Sequence, residues 1–195
     1  MTRFFFALAL SLCSLAPAAQ AQRFDFCEAL WVTRNLIFDR AGYCFGSVLG
    51  QSLFDNSNCV TNTAAAPPEY DQIVQWARGD ESRLGCQVNT SVPAWNSIRA
   101  VHAYYNQFQT TTVPVDGGYA CWGYSGPNVP VHAGAATSTA LLGQLQSGLS
   151  YSTTHYSVLD WRFITVSTGP GGQSIVTGWA PDYAFSGSSC AQEAG

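Results

Sequence analysis

Val129-Pro130-Val131-His132-Ala133-Gly134, then Leu141-Leu142-Gly143-Gln144-Leu145 and Ser147-Gly148, open the stretch that decides the fold. Further on come Trp161, the alternating Phe163-Ile164-Thr165-Val166, a glycine-rich turn and Gly178-Trp179-Ala180. Short apolar runs bounded by glycine or proline read as strands, and several at close spacing predict a small β-barrel. Strands are expected near residues 119–124, 129–132, 149–155, 161–167 and 174–180. Thr168-Gly169-Pro170-Gly171-Gly172 is a turn by composition. Trp161 and Trp179 are expected to close the barrel core or floor its groove.

Upstream the period changes from two to that of a helix. Asp25, with Glu28 three residues on, makes a capping box. Cys27, Leu30, Trp31, Arg34, Ile37, Phe38 and Ala41 then fall on one helical stripe, and Gly42 supplies the left-handed stop. A second helix follows Pro67-Pro68, with Tyr70, Ile73, Val74, Ala77 and Leu84 at helical spacing and Gly85 at its end. Gly79 lies inside that run and invites a break. A third, short helix is expected around Trp95, Ile98, Val101, His102 and Tyr105. The chain thus divides into a helical unit over residues 22–108 and a strand-rich unit over residues 119–195. Residues 109–118, polar and then punctuated by proline and glycine, form the linker.

Arg3, an apolar run over residues 4–15 and Ala19-Gln20-Ala21 read as a Sec-type signal peptide cleaved after Ala21. A lipid-anchored start at Cys13 is disfavoured because Leu12 stands where a small residue is wanted. The mature chain is therefore expected in the periplasm or outside the cell, with no membrane span after leader removal. Six cysteines remain, and an even count in an oxidising compartment predicts three disulfides. Six cysteines allow fifteen connectivities, and sequence alone does not choose among them. The pairing Cys27–Cys86, Cys44–Cys59 and Cys121–Cys190 is the working expectation, because each bridge then staples one unit.

No C-x-x-C pair exists and the three histidines are scattered, so no metal or other cofactor is expected. All eight basic residues are arginine and the formal net charge is −4. Nucleic-acid binding needs clustered positive charge, and so does docking on an anionic membrane surface; neither is expected here.

Leu30-Trp31-Val32-Thr33-Arg34-Asn35-Leu36-Ile37-Phe38-Asp39-Arg40-Ala41-Gly42-Tyr43-Cys44-Phe45 resembles the YARHG domain of exported bacterial proteins. That family is named for a Tyr-Ala-Arg-His-Gly run at a helix end, preceded by Arg-Asn and followed by an aromatic. Arg34, Asn35, Arg40, Gly42 and Phe45 match, Phe38 keeps the aromatic, and Ala41 replaces the histidine. Any catalysis that rested on that histidine is lost in this chain. The resemblance covers roughly residues 27–86 and implies location and fold more than activity. The order of pieces in the second unit resembles bacterial SH3-like (SH3b) domains of exported envelope proteins. The expected class is therefore α+β: a small disulfide-stapled helical domain followed by an SH3-like small β-barrel, a fold that presents binding surfaces.

Catalytic patterns are absent. There is no G-x-S-x-G elbow, no H-E-x-x-H, no phosphate-cradling loop and no G-x-G-x-x-G after a strand. A cysteine nucleophile needs a free thiolate, and all six mature cysteines can pair. His132 reads as a strand residue, and His102 and His155 as ordinary surface or partly buried residues. Asp25 and Glu28 are explained by capping. Arg78-Gly79-Asp80 and Asn89-Thr90-Ser91 are short patterns that chance supplies. Arg34 and Arg40 are expected to satisfy backbone carbonyls or Asp39, Asp55 and Asp71, with Arg40 also kept as a ligand contact.

The remaining lead is aromatic: Tyr124, Tyr151, Tyr156, Trp161, Trp179 and Tyr183 exceed what a small barrel core absorbs. The expected function is a non-enzymatic envelope binding or scaffolding protein. Its aromatic groove would recognise peptidoglycan, an envelope protein or an extended peptide. The alternative is a cell-wall-active hydrolase or an inhibitor of one.

Overall fold

Helix α1 (Phe26–Arg40) starts at its expected cap, where the Asp25 carboxylate accepts the Glu28 backbone N–H at 3.0 Å. The structure, a computed structural model, describes residues 25–195, so the expected signal peptide lies outside the described residues. The capping box is only half made. The Glu28 side chain instead accepts from Trp95 Nε1 at 2.7 Å and Ser97 Oγ at 2.9 Å, reaching the start of another helix. Gly42 ends α1 at φ +81°, and a Cβ there would lie 2.7 Å from Val60 Cγ2, so both backbone and space require glycine.

Leu30, Val32, Leu36, Ile37 and Phe38 bury α1 against α3 (Pro68–Arg83) and α4 (Asn96–Asn106). Helix α3 runs unbroken through Gly79. A short α2 (Val48–Leu53), capped by the Ser47 hydroxyl, was not legible as a helix because six residues carry too little periodicity.

Seven strands follow: β1 (Pro114–Ser125), β2 (Val129–His132), β3 (Leu141–Leu145), β4 (Ser150–His155), β5 (Trp161–Ser167), β6 (Ser174–Pro181) and β7 (Ser189–Ala194). They form one antiparallel sheet in the order β3-β2-β6-β5-β4-β1-β7. This corrects the expected barrel. The terminal strands β3 and β7 pair only with β2 and β1, so the sheet is open. The expected strands numbered five; the two edges, β3 and β7, were not among them.

The sheet has a core on each face. Alternation along β5 sends Phe163 to one side and Ile164 to the other. Phe163 and Trp179 join the helical core, with Phe163 edge-on to Phe108 at 4.8 Å between ring centroids. Ile164, Val166, Tyr151 and Tyr124 gather with Phe185 on the opposite face. Cys121 and Tyr124 share that second core although three residues apart. Gly123 between them, at φ +62°, breaks the strand alternation that would have separated them.

The disulfides are Cys27–Cys86, Cys44–Cys59 and Cys121–Cys190, the pairing expected. They tie α1 to the end of α3, close the loop that holds α2, and fasten β7 to β1. Within residues 109–118, Thr111, Thr112, Val113 and Pro114 are buried, so this stretch is packed rather than a solvated tether. Its polar backbone is satisfied by the chain: the Arg40 guanidinium donates to the Phe108 carbonyl at 2.7 Å and the Gln109 carbonyl at 3.1 Å. No helix among the described residues is long and apolar enough to cross a membrane.

Candidate functional site

On the helix-facing side of the sheet, beyond Phe163 and Trp179, the helices no longer cover the strands. Strand alternation places Ser150, Ser152 and Thr154 of β4 on that side, with Thr165 and Ser167 of β5 and Thr177 of β6. The register aligns them in cross-strand rows. Ser150 lies opposite Ser167, which lies opposite Ser174; Ser152 lies opposite Thr165, which lies opposite Thr177. Thr165 Oγ1 and Thr177 Oγ1 are hydrogen-bonded at 3.1 Å.

These hydroxyls floor a cavity of about 770 Å³, within the ordinary size range for small-ligand sites. Trp122 of β1 borders it on one side, and the turn at Gly169, Gly171 and Gly172 on another. Phe26 and Ala29 of α1 and Tyr104 and Tyr105 of α4 supply the helical wall. Tyr104 is hydrogen-bonded to Thr177, joining wall to floor. Among the described residues, none that lines the cavity is an aspartate, glutamate, lysine or arginine.

His155, read from sequence as an ordinary surface or partly buried residue, borders the same cavity. Its Nε2 lies 2.9 Å from Tyr105 Oη and its Nδ1 3.1 Å from Thr154 Oγ1. Burial pulls its pKa down to about 3, so the imidazole is neutral near pH 7. Burial also raises the Tyr104 and Tyr105 phenols above their ordinary range.

The aromatic groove expected from sequence is not assembled. Tyr124 and Tyr151 pack together in the second core, and Trp179 is fully buried in the first, its Nε1 donating to the Thr110 carbonyl at 3.1 Å. Trp161 is half-buried, edge-on to His132. Tyr156 stacks on Trp76 at 4.7 Å and donates to Asp80 Oδ2 at 3.1 Å. Tyr183 alone stands free of the surface, 70 % exposed. Of this set only Tyr151 borders the cavity. Arg40, the other residue nominated, lies at the surface, but its guanidinium bonds Phe108, Gln109 and Thr111 Oγ1. The signal that leads to the observed cavity is the run Ser150-Tyr151-Ser152-Thr153-Thr154, whose hydroxyls recur with strand period. A search for rings passes over it.

The family described as Domain of unknown function (DUF4453) matches residues 85–195, more than half of the chain. The chain belongs to the DUF4453 family. The DUF4453 region contains α4, the whole sheet and almost all of the cavity lining. Its open sheet departs from the closed barrel that the SH3-like resemblance implied. Ahead of it, the YARHG domain matches residues 5–76, which include the run at Phe38 to Gly42. The residues that carry this resemblance each have a structural task here. Arg34 is paired with Glu81 at 3.1 Å, Asn35 donates to the Trp31 carbonyl, Gly42 turns the chain, and Phe45 stacks on Phe54 at 4.3 Å. No curated protein and no solved structure matches the chain.

Proposed function

We propose that this is an exported cell-envelope protein, periplasmic or extracellular, that binds or scaffolds and performs no chemistry. Three lines support the reading. The YARHG domain is typical of exported bacterial proteins. Three disulfides suit an oxidising compartment. The cavity on the sheet, floored by hydroxyls and walled by aromatic rings, offers a place to hold a ligand and is the observation that carries the proposal. Peptidoglycan is the proposed partner, met at this cavity rather than at the aromatic groove first expected.

The competing reading, a cell-wall hydrolase, would want a carboxylate pair or a thiolate beside the bound polymer. Among the described residues, the cavity lining offers neither. The test is a sedimentation assay of the mature, oxidised protein with purified peptidoglycan at low and moderate salt, beside Ser152→Trp, which fills the cavity. Retention of the native protein with loss in the filled variant is expected. Equal behaviour of the two would remove the cavity from the proposal, and absence of retention would sink it.

A further inference from the structure

The floor of the cavity is made of side chains that both give and take hydrogen bonds. Each Ser or Thr hydroxyl has one donor and two acceptor positions, so the rows running from Ser150 and Ser152 present mixed polarity at close spacing. A phosphate or carboxylate entering this site would find no cation among the described lining residues, and would lose its hydration without a charged partner. An ammonium would find no carboxylate. The titratable groups of the lining do not alter this, since His155 stays neutral and the Tyr104, Tyr105 and Tyr151 phenols stay protonated near pH 7.

The topology separates two neutral ligand classes. Extended peptides are commonly held by adding a strand to a sheet edge, where main-chain groups are free. Here β4 and β5, the middle strands of the cavity floor, are each hydrogen-bonded to a neighbouring strand on both sides. A peptide on this face would have to satisfy its own backbone from side chains alone. A sugar ring has no such backbone. Its hydroxyls match the Ser and Thr rows, and its apolar face suits the flat, partly exposed Trp122 ring at the cavity's side. We infer that the cavity takes an uncharged saccharide, a segment of a neutral glycan strand, in preference to a peptide or an anionic ligand. This rests on the cavity being the binding site proposed above.

The test is calorimetric titration of the mature, oxidised protein with a neutral N-acetylated glucosamine oligomer, a neutral β-glucan oligomer, an acidic uronate oligomer and a peptidoglycan stem peptide. Binding to at least one neutral oligomer is expected, and its Kd should change little between low and high salt because no ion pair forms. Thr165→Val keeps shape and removes one floor hydroxyl, and is expected to weaken binding about tenfold, near the cost of leaving a ligand hydroxyl unpaired. Trp122→Ala should weaken it at least as much; the valine variant carries the test if the alanine variant does not fold. Preference for the uronate or the stem peptide would overturn the inference. Retention on peptidoglycan that neither neutral oligomer competes away would overturn it while leaving the wall-binding proposal standing. Loss of both retention and oligomer binding would remove both.

Discussion

Trp76 stacks on Tyr156 with ring centroids 4.7 Å apart, joining α3 to the segment that leaves β4. The Tyr156 hydroxyl adds a bond to Asp80, and Arg83 bridges Asp80 to Asp116 at the start of the sheet. This seam ties α3 to the sheet beside Val115, Gly117 and His155, which border the cavity. Tyr156→Phe keeps the stack and removes the bond, so a loss of about 1 kcal/mol in denaturant unfolding is expected. Tyr156→Ala should cost clearly more. Equal effects of the two would mean the rings contribute nothing.

Arg40 offers a second, sharper case. Its planar guanidinium reaches three acceptors at once, at Phe108, Gln109 and Thr111. A lysine keeps the charge but is a single point donor, so Arg40→Lys is expected to lose about 1–3 kcal/mol of stability. Ligand binding by the folded variant should be unchanged. A folded Arg40→Ala protein that no longer binds its partner would restore Arg40 as a ligand contact.

His155 makes stability depend on pH. Its folded pKa, about 3, lies below the value near 6.5 of an exposed histidine, so the unfolded chain binds this proton more readily. The contribution is fully present above about pH 6.5 and is lost as pH falls towards 3, at up to about 1.4 kcal/mol per pH unit. His102, also depressed by burial, acts in the same direction. Thermal melts between pH 7 and pH 4 should show a shallower decline for His155→Gln than for the native chain, and identical slopes would contradict the assignment.

The Cys121–Cys190 bridge closes a loop with a sequence separation of 69 and holds the exposed edge strand β7 on β1. Chain-entropy arguments put its contribution at about 4 kcal/mol as an upper value. In the Cys121→Ser, Cys190→Ser double variant, amide exchange should accelerate first in residues 189–194. Unchanged protection there would show that backbone pairing alone holds the edge.

Much of the framework was legible because its signals are local. The Asp25 cap, the glycine stop at Gly42, the proline start before α3 and the apolar alternation of β5 each act within a few residues. The edge strand β7 was not legible. The sequence of β7, Ser189-Cys190-Ala191-Gln192-Glu193-Ala194, has neither β-branched nor aromatic residues, and it is a strand because a ladder and a disulfide hold it to β1. The cavity was missed for another reason. Aromatic residues were counted as surplus, but an open sheet with a core on each face absorbs Tyr124, Tyr151 and Trp179. What the sheet leaves uncovered is its hydroxyls, and their meaning depends on a register that only pairing reveals.

Strand β5 is a party wall. Phe163 completes the packing of the helices, and Ile164, on the next residue, completes the packing behind the sheet. Cutting the chain at the end of α4 would therefore strip the helices of a neighbour they share rather than free a self-sufficient lobe. Calorimetry of the intact protein is expected to record one melting event for both halves, and the isolated N-terminal fragment is expected not to fold.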